Sequence, residues 1–331
     1  MRAAVITKPG GPEVLAIREV EDPEPGPWDV LVRVEASALN RADILQRRGF
    51  YPAPPGVASD IPGLELSGTV AATGEHVTRF AVGDRVMGLV GGGACADLAV
   101  LHEREAIRVP AGLTATDAAA IPEAFVTAFD AIVLQGGLAS GQWLMVDAVG
   151  SGVGTAAIQI ARALGARSAG SSRTAEKLER CGPLGLDLAV VGTTDDLAKR
   201  AKAELGDGVA VALSLVGGAG VAAMVAAMRA TGTIVLVGLL AGTQANLPLR
   251  DVLGKRLAIV GTVLRSRPIE EKIAVARAFE DRIVPLFEAH GTAPPRLHPV
   301  VDTVLPLDEI ASAHTLVEQN ATFGKVVLSH A

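Results

Sequence analysis

One stretch limits the fold more than any other: WLMVDAVGSGVGTAAIQIARALGA, residues 143–166. An apolar run passes into a glycine-rich turn, and the turn into a segment whose apolar residues Val153, Ala157, Ile160 and Leu164 recur at helical spacing. An apolar run without alternation reads as a strand covered on both faces, and strand, Gly-rich turn and helix together open a doubly wound α/β sheet. With no Cβ at Gly152 and Gly154, backbone N–H groups can approach a pyrophosphate, and the helix N-terminus adds its dipole. Gly152, Gly154 and Ala157 fit G-x-G-x-x-A, whereas a register shifted back meets Val149 and Ser151 where glycine is usual. The flanking strand and helix therefore carry the dinucleotide reading; a merely tight strand-helix turn is the alternative.

The texture continues downstream. LAVV, VAVALSLV, TIVLVG and LAIVGTV alternate with helical segments, as parallel strands do, and RSAG near Arg167 is assigned as the second strand only from its place between two helices. Upstream, AAVIT, VLVRVEASAL and LSGTVAATG are short strand-like runs broken by the loop DPEPGPWD. TDAAAIPEAFVTAFDAIVLQGG, by contrast, is Ala-rich and helical. Past Arg267 a helix is expected from Ile269 to His290, with Ile273, Ala276, Phe279, Ile283 and Leu286 on one face. The strands HPVVD and GKVVLS then flank a helix from Leu307 to Gln319. The expected organisation is a β domain over residues 1–122, a doubly wound domain over 123–266, and a segment 267–331 that returns to the first.

Formal net charge is -6, without a basic tract, so nucleic acid is not the expected partner. No apolar run reaches membrane-spanning length, which points to a cytoplasmic protein. Cys95 and Cys181 form no C-x-x-C pair that would suggest structural zinc. About 20 residues past the glycine turn, where NAD sites carry an acid, the chain reads AGSSRTAEK. Ser172, Arg173 and Lys177 suit a 2′-phosphate and favour NADPH over NADH; a solvated helix start is the other reading.

The turn, together with NRADILQRRGFYPAPPG from Asn40, PEAFVTA from Pro122 and LRSR from Leu264, resembles the zinc-independent quinone oxidoreductases of the medium-chain dehydrogenase/reductase superfamily, most closely the subgroup with a tumour-suppressor-inducible member. The resemblance runs from Arg2 to Leu328. It implies a GroES-like β domain, a Rossmann domain, an active site in the cleft between them and a homodimer. Zinc-dependent relatives have Cys where this chain has Asn40 and His where it has Leu64, which leaves no zinc ligand set with Glu65.

By the resemblance, Asn40, Asp43 and Tyr51 line the substrate side. Thr127, Ser151, Gly152, Val153, Ser172, Lys177, Gly238 and Leu264 contact NADPH, with Arg265 and Lys325 as further cofactor contacts. Two readings stay open for Asn40, a substrate donor or a helix cap, and two for Tyr51, a substrate donor or a packed ring. The family commonly has Asp where this chain has Ser214, a basic residue near Asn320 and a Tyr near Thr193; Arg173 could replace part of that lost charge. The implied reaction is hydride or electron transfer to a quinone, with Asn40 and Tyr51 as donors to its oxygen. Reduction of an enone or enoyl thioester is the alternative chemistry, and a low-turnover NADPH-binding redox sensor the alternative of another class.

Overall fold

The computed structural model describes residues 1–330. Met1–Val126 and the chain from Leu264 onward form one compact unit, and Thr127–Val263 form a second.

In the first unit the strand Asp29–Ala38 is the axis of a seven-stranded sheet. Its alternation puts Val30, Val32 and Val34 on one buried face with Leu66, Val70 and Val86. Glu65–Thr73 pairs antiparallel along one edge; on the other, Leu98–His102 takes the first half and Lys325–Ser329 the second. Arg85–Leu89 and Ile107–Arg108 extend the sheet one way, and Val301–Pro306, parallel to Lys325–Ser329, the other. The helix Arg41–Arg47 starts directly after the axis strand, so Asn40 and Asp43 come to lie at the same end as Lys325.

The second unit holds six parallel strands: β1 (Trp143–Val146), β2 (Arg167–Ser172), β3 (Leu188–Val191), β4 (Val209–Ser214), β5 (Met228–Leu236) and β6 (Ala258–Gly261). Their order is β3-β2-β1-β4-β5-β6, the Rossmann arrangement, with its reversal beside β1. The helix Gly152–Ala163 follows β1 directly after the glycine turn.

Two expectations need correction. The helix from Ile269 ends at Arg282 and gives way to the 3-10 turn Val284–Phe287, because Pro285 has no N–H to donate and its ring crowds the preceding turn. The Ala-rich stretch is likewise interrupted: Ala115–Ala119 is one short helix, and π-helical turns begin at Pro122 and again at Asp130. Among the described residues, no helix is long and apolar enough to cross a membrane.

Candidate active site

At the end of the axis strand, in the first unit, four segments meet around a buried ion pair. Lys325 Nζ lies 2.6 Å from Glu65 Oε1, with the Lys325 and Glu65 side chains 5% and 0% exposed. The ammonium also donates to Leu39 O at 2.8 Å and to Asn40 Oδ1 at 2.5 Å, so its three hydrogens are all committed. Glu65 further accepts from Asn40 Nδ2 at 2.8 Å and from the Glu123 backbone N–H at 2.7 Å. Asn40 has extended backbone and caps the helix Arg41–Arg47, its N–H donating to Asp43 Oδ2 at 2.8 Å. Its amide hydrogens point at Glu65 and, at 3.3 Å, at Ala38 O.

Asp43 is fully buried and accepts a second backbone bond from Gly63 N at 2.9 Å, fixing the loop before Leu64. Burial raises its carboxyl to about 6, against the lowering effect of those two N–H donors. Among the described residues no group of three or more His, Cys, Asp or Glu side chains could hold a metal ion. Zinc does not suit this donor set: Leu64 is apolar, and an ammonium already stands against Glu65.

A second network of this unit fixes the Pro-rich loop. Arg265 donates to Gly91 O at 2.7 Å, Gln46 Oε1 at 2.7 Å and Tyr51 O at 3.2 Å, and its guanidinium lies 4.9 Å from the Tyr51 ring centroid. Such stacking contributes about 0.5 to 1 kcal/mol at an exposed site. Burial, and then the nearby Glu123, push the half-buried Tyr51 phenol above its ordinary value. Arg265 and Leu264, with Leu64, Leu89, Val126 and Glu123, line a largely apolar pocket. Arg265, Leu264 and Lys325, read from sequence as cofactor contacts, thus belong to the unit that holds Asn40 and Tyr51.

In the second unit, Ser151 caps the helix Gly152–Ala163, its Oγ accepting from Gly154 N at 3.1 Å. Gly152 and Val153 open the helix, where the first N–H groups have no intrahelical acceptor, a ready cradle for phosphate. An ideal Cβ on Gly154 would stand 2.5 Å from Val149 O. Gly238, after β5, is equally constrained, at 2.1 Å from Leu215 O. Ser172 ends β2 and Thr174 stands just before the next helix, with Arg173 exposed and Lys177 half-exposed beside it. Thr127 Oγ1 is buried with no hydrogen-bond partner among the described residues, so it suits the polar group of a bound ligand. These groups suit a dinucleotide, whose nicotinamide supplies hydride when bound.

Sequence reasoning missed Glu123 as a site residue and Asp147 altogether. Asp147, at the end of β1, accepts from Leu215 N at 2.5 Å, Ser214 Oγ at 3.2 Å and Thr194 Oγ1 at 3.4 Å. Burial raises its carboxyl to about 6. Ser214, where the family commonly has Asp, thus bonds to a carboxylate from β1, and this contact ties β1 to β4. The available signal was a charge at the end of an otherwise apolar run, since such a charge needs a partner when buried.

Comparisons with known proteins agree with this architecture. Residues 26–124 match the alcohol dehydrogenase GroES-like domain and residues 152–280 the family described as zinc-binding dehydrogenase. A quinone oxidoreductase of Lama guanicoe is 30% identical over 99% of this chain and 97% of its own length. The solved structure of an NAD-dependent alcohol dehydrogenase shares 31% identity with a TM-score of 0.82, covering 99% of each chain. Mycobacterial Rv1454c, solved in complex with NADPH, shares 25% identity with a TM-score of 0.84, covering 99% of this chain and 100% of its own. A GroES-like unit, a Rossmann unit in 3-2-1-4-5-6 order and these full-length relatives make the chain a member of the medium-chain dehydrogenase/reductase superfamily, an NAD(P)-binding oxidoreductase.

Proposed function

We propose that this oxidoreductase transfers hydride from NADPH to a quinone without a metal ion. The observation that carries the reading is the apolar pocket of Leu64, Leu89, Val126 and Leu264, bordered by Glu123 and by Arg265 with Tyr51 stacked on it. A planar, electron-poor acceptor suits apolar walls with a few convergent polar groups. Tyr51 keeps a phenol for the acceptor oxygen, whereas Asn40 holds Lys325 and Glu65 in place and acts on substrate only through that network. The quinone oxidoreductase relative supports the acceptor class. Ser172, Arg173 and Lys177, with no acid at the end of β2, support NADPH, as does the mycobacterial NADPH complex.

Steady-state oxidation of NADPH and of NADH against ortho-quinones, para-quinones and enones tests the reading. The expected result is faster turnover with quinones and a lower Michaelis constant for NADPH, which Lys177→Ala raises while scarcely changing that for NADH. Dialysis against a strong chelator should leave the rates unchanged; a loss restored by zinc would overturn the metal-free reading. Turnover confined to enones would move the chain to C=C reduction, and cofactor binding without turnover to a sensing role. A second copy of the chain is proposed along β6, the edge strand of the Rossmann sheet, where Leu249 and Leu253 of the adjoining helix are exposed.

A further inference from the structure

Glu123 is the ionisable group that the reductase reading leaves without a task. Its backbone N–H is bonded to Glu65, but its carboxyl has no hydrogen bond or ion pair among the described residues and borders the pocket. The cations around it are engaged elsewhere. Lys325 has given its three hydrogens to Leu39, Asn40 and Glu65, Arg265 is bonded to the neutral acceptors of Gly91, Gln46 and Tyr51, and Lys272 pairs with Glu105 at 3.2 Å. The remaining groups facing it are the carboxyls of Glu65 and Asp43 and the Tyr51 phenol. An acid set among apolar side chains and other carboxyls keeps its proton at neutral pH.

Resting on the reductase reading, we infer that Glu123 is the proton donor of this pocket, handing its carboxyl proton to the acceptor oxygen that gains charge as hydride arrives. Hydride addition to a quinone leaves a hydroquinone monoanion. The Glu123 O–H bond breaks as the new O–H bond forms, the carboxylate left behind is reprotonated by water, and the sum is reduced cofactor, quinone and one proton giving oxidised cofactor and hydroquinone. Burial, and next the Glu65 carboxylate, raise Glu123 to about 8, with Lys325 and Arg265 pulling less strongly the other way. The acid form is therefore the populated one at neutral pH, and a donor matched to the working pH contributes about 10²- to 10⁴-fold in rate.

The test is the pH profile of kcat for NADPH oxidation with one benzoquinone in wild type and Glu123→Gln. Wild type should lose turnover as pH rises through about 8. Glu123→Gln should fall about 10²-fold below it at neutral pH, lose that alkaline limb and keep the Michaelis constant for NADPH. A Glu123 with only a structural role would leave the limb in place. Infrared difference spectra of wild type with bound NADPH, across the same pH range, supply a readout free of turnover: a protonated-carboxyl C=O band should vanish as pH rises and be missing from the variant. An ionised carboxyl at neutral pH, or a variant with wild-type kcat, overturns the assignment. A wild type inert toward every quinone and enone instead sinks the reductase reading, a result distinct from a working enzyme indifferent to Glu123→Gln.

Discussion

Replacing Lys325 with methionine should lower the stability of the protein by about 3 to 5 kcal/mol, the loss typical of breaking a buried ion pair from one side. The side chain is 5% exposed and Glu65, its partner, is 0% exposed, so the carboxylate left behind could not turn to water. Asn40 would lose the donor to its Oδ1 and Leu39 the donor to its carbonyl in the same change. The urea unfolding midpoint measures this directly. Adding Glu65→Gln to Lys325→Met removes the stranded charge and should recover a large part of the loss. The same series separates two roles for the lysine. A Lys325 that reached the cofactor would affect the Michaelis constant for NADPH and leave the midpoint unchanged, whereas one locked beneath the site should shift the midpoint most.

This network explains why the site was less legible in the sequence than the fold. Parallel strands buried on both faces, as β1 and β4 are, leave continuous apolar runs, and β3, β5 and β6 could also be read from apolar runs although the edge strands β3 and β6 are partly exposed. β2 had no such mark, and packing gives the reason: a Cβ on Gly170 would stand 2.8 Å from Val149 Cβ, so a β-branched residue there has no room. Position 170 is small because the glycine turn lies against it. The early end of the helix at Arg282 was legible in principle, since Pro285 follows within one turn, yet Ile283 and Leu286 continued the apolar spacing.

Local motifs exposed Asn40 and Asp43, which touch each other across three residues. They could not show that Lys325 comes to Asn40 from 285 residues away, or Glu65 from 25. Glu65 in PGLELSG, Lys325 in FGKVVL and Asp147 in WLMVD are each a charge inside an apolar run. Burying such a charge alone is costly, so each announces a partner without naming it. Only the sheet pairing, which sets Lys325–Ser329 beside the end of Asp29–Ala38, identifies the partner.

The glycine turn admits the sharpest test, because one methyl group should undo it. Gly154→Ala is expected to weaken NADPH binding by about 5- to 150-fold, equivalent to the 1 to 3 kcal/mol that overpacking typically costs. The new Cβ would stand 2.5 Å from Val149 O and 2.8 Å from Ala148 O, both backbone atoms that no rotamer change can move aside. Neither residue yields readily. Ala148 already has a left-handed φ of 50°, and the Val149 N–H is tied to Ser171 O at 3.0 Å at the end of β2. Relief must therefore come from the helix start, which shifts the N–H groups of Gly152 and Val153 away from the place a pyrophosphate would occupy. Gly254→Ala is the control: nothing lies within 4 Å of its Cβ position, in the exposed helix Leu249–Lys255, so it should gain about 0.5 to 1 kcal/mol of helix stability and leave binding unchanged. Calorimetric titration with NADPH, alongside thermal unfolding of each variant, reads both effects. If Gly154→Ala folds and binds NADPH as tightly as wild type, the phosphate cradle lies elsewhere in the chain.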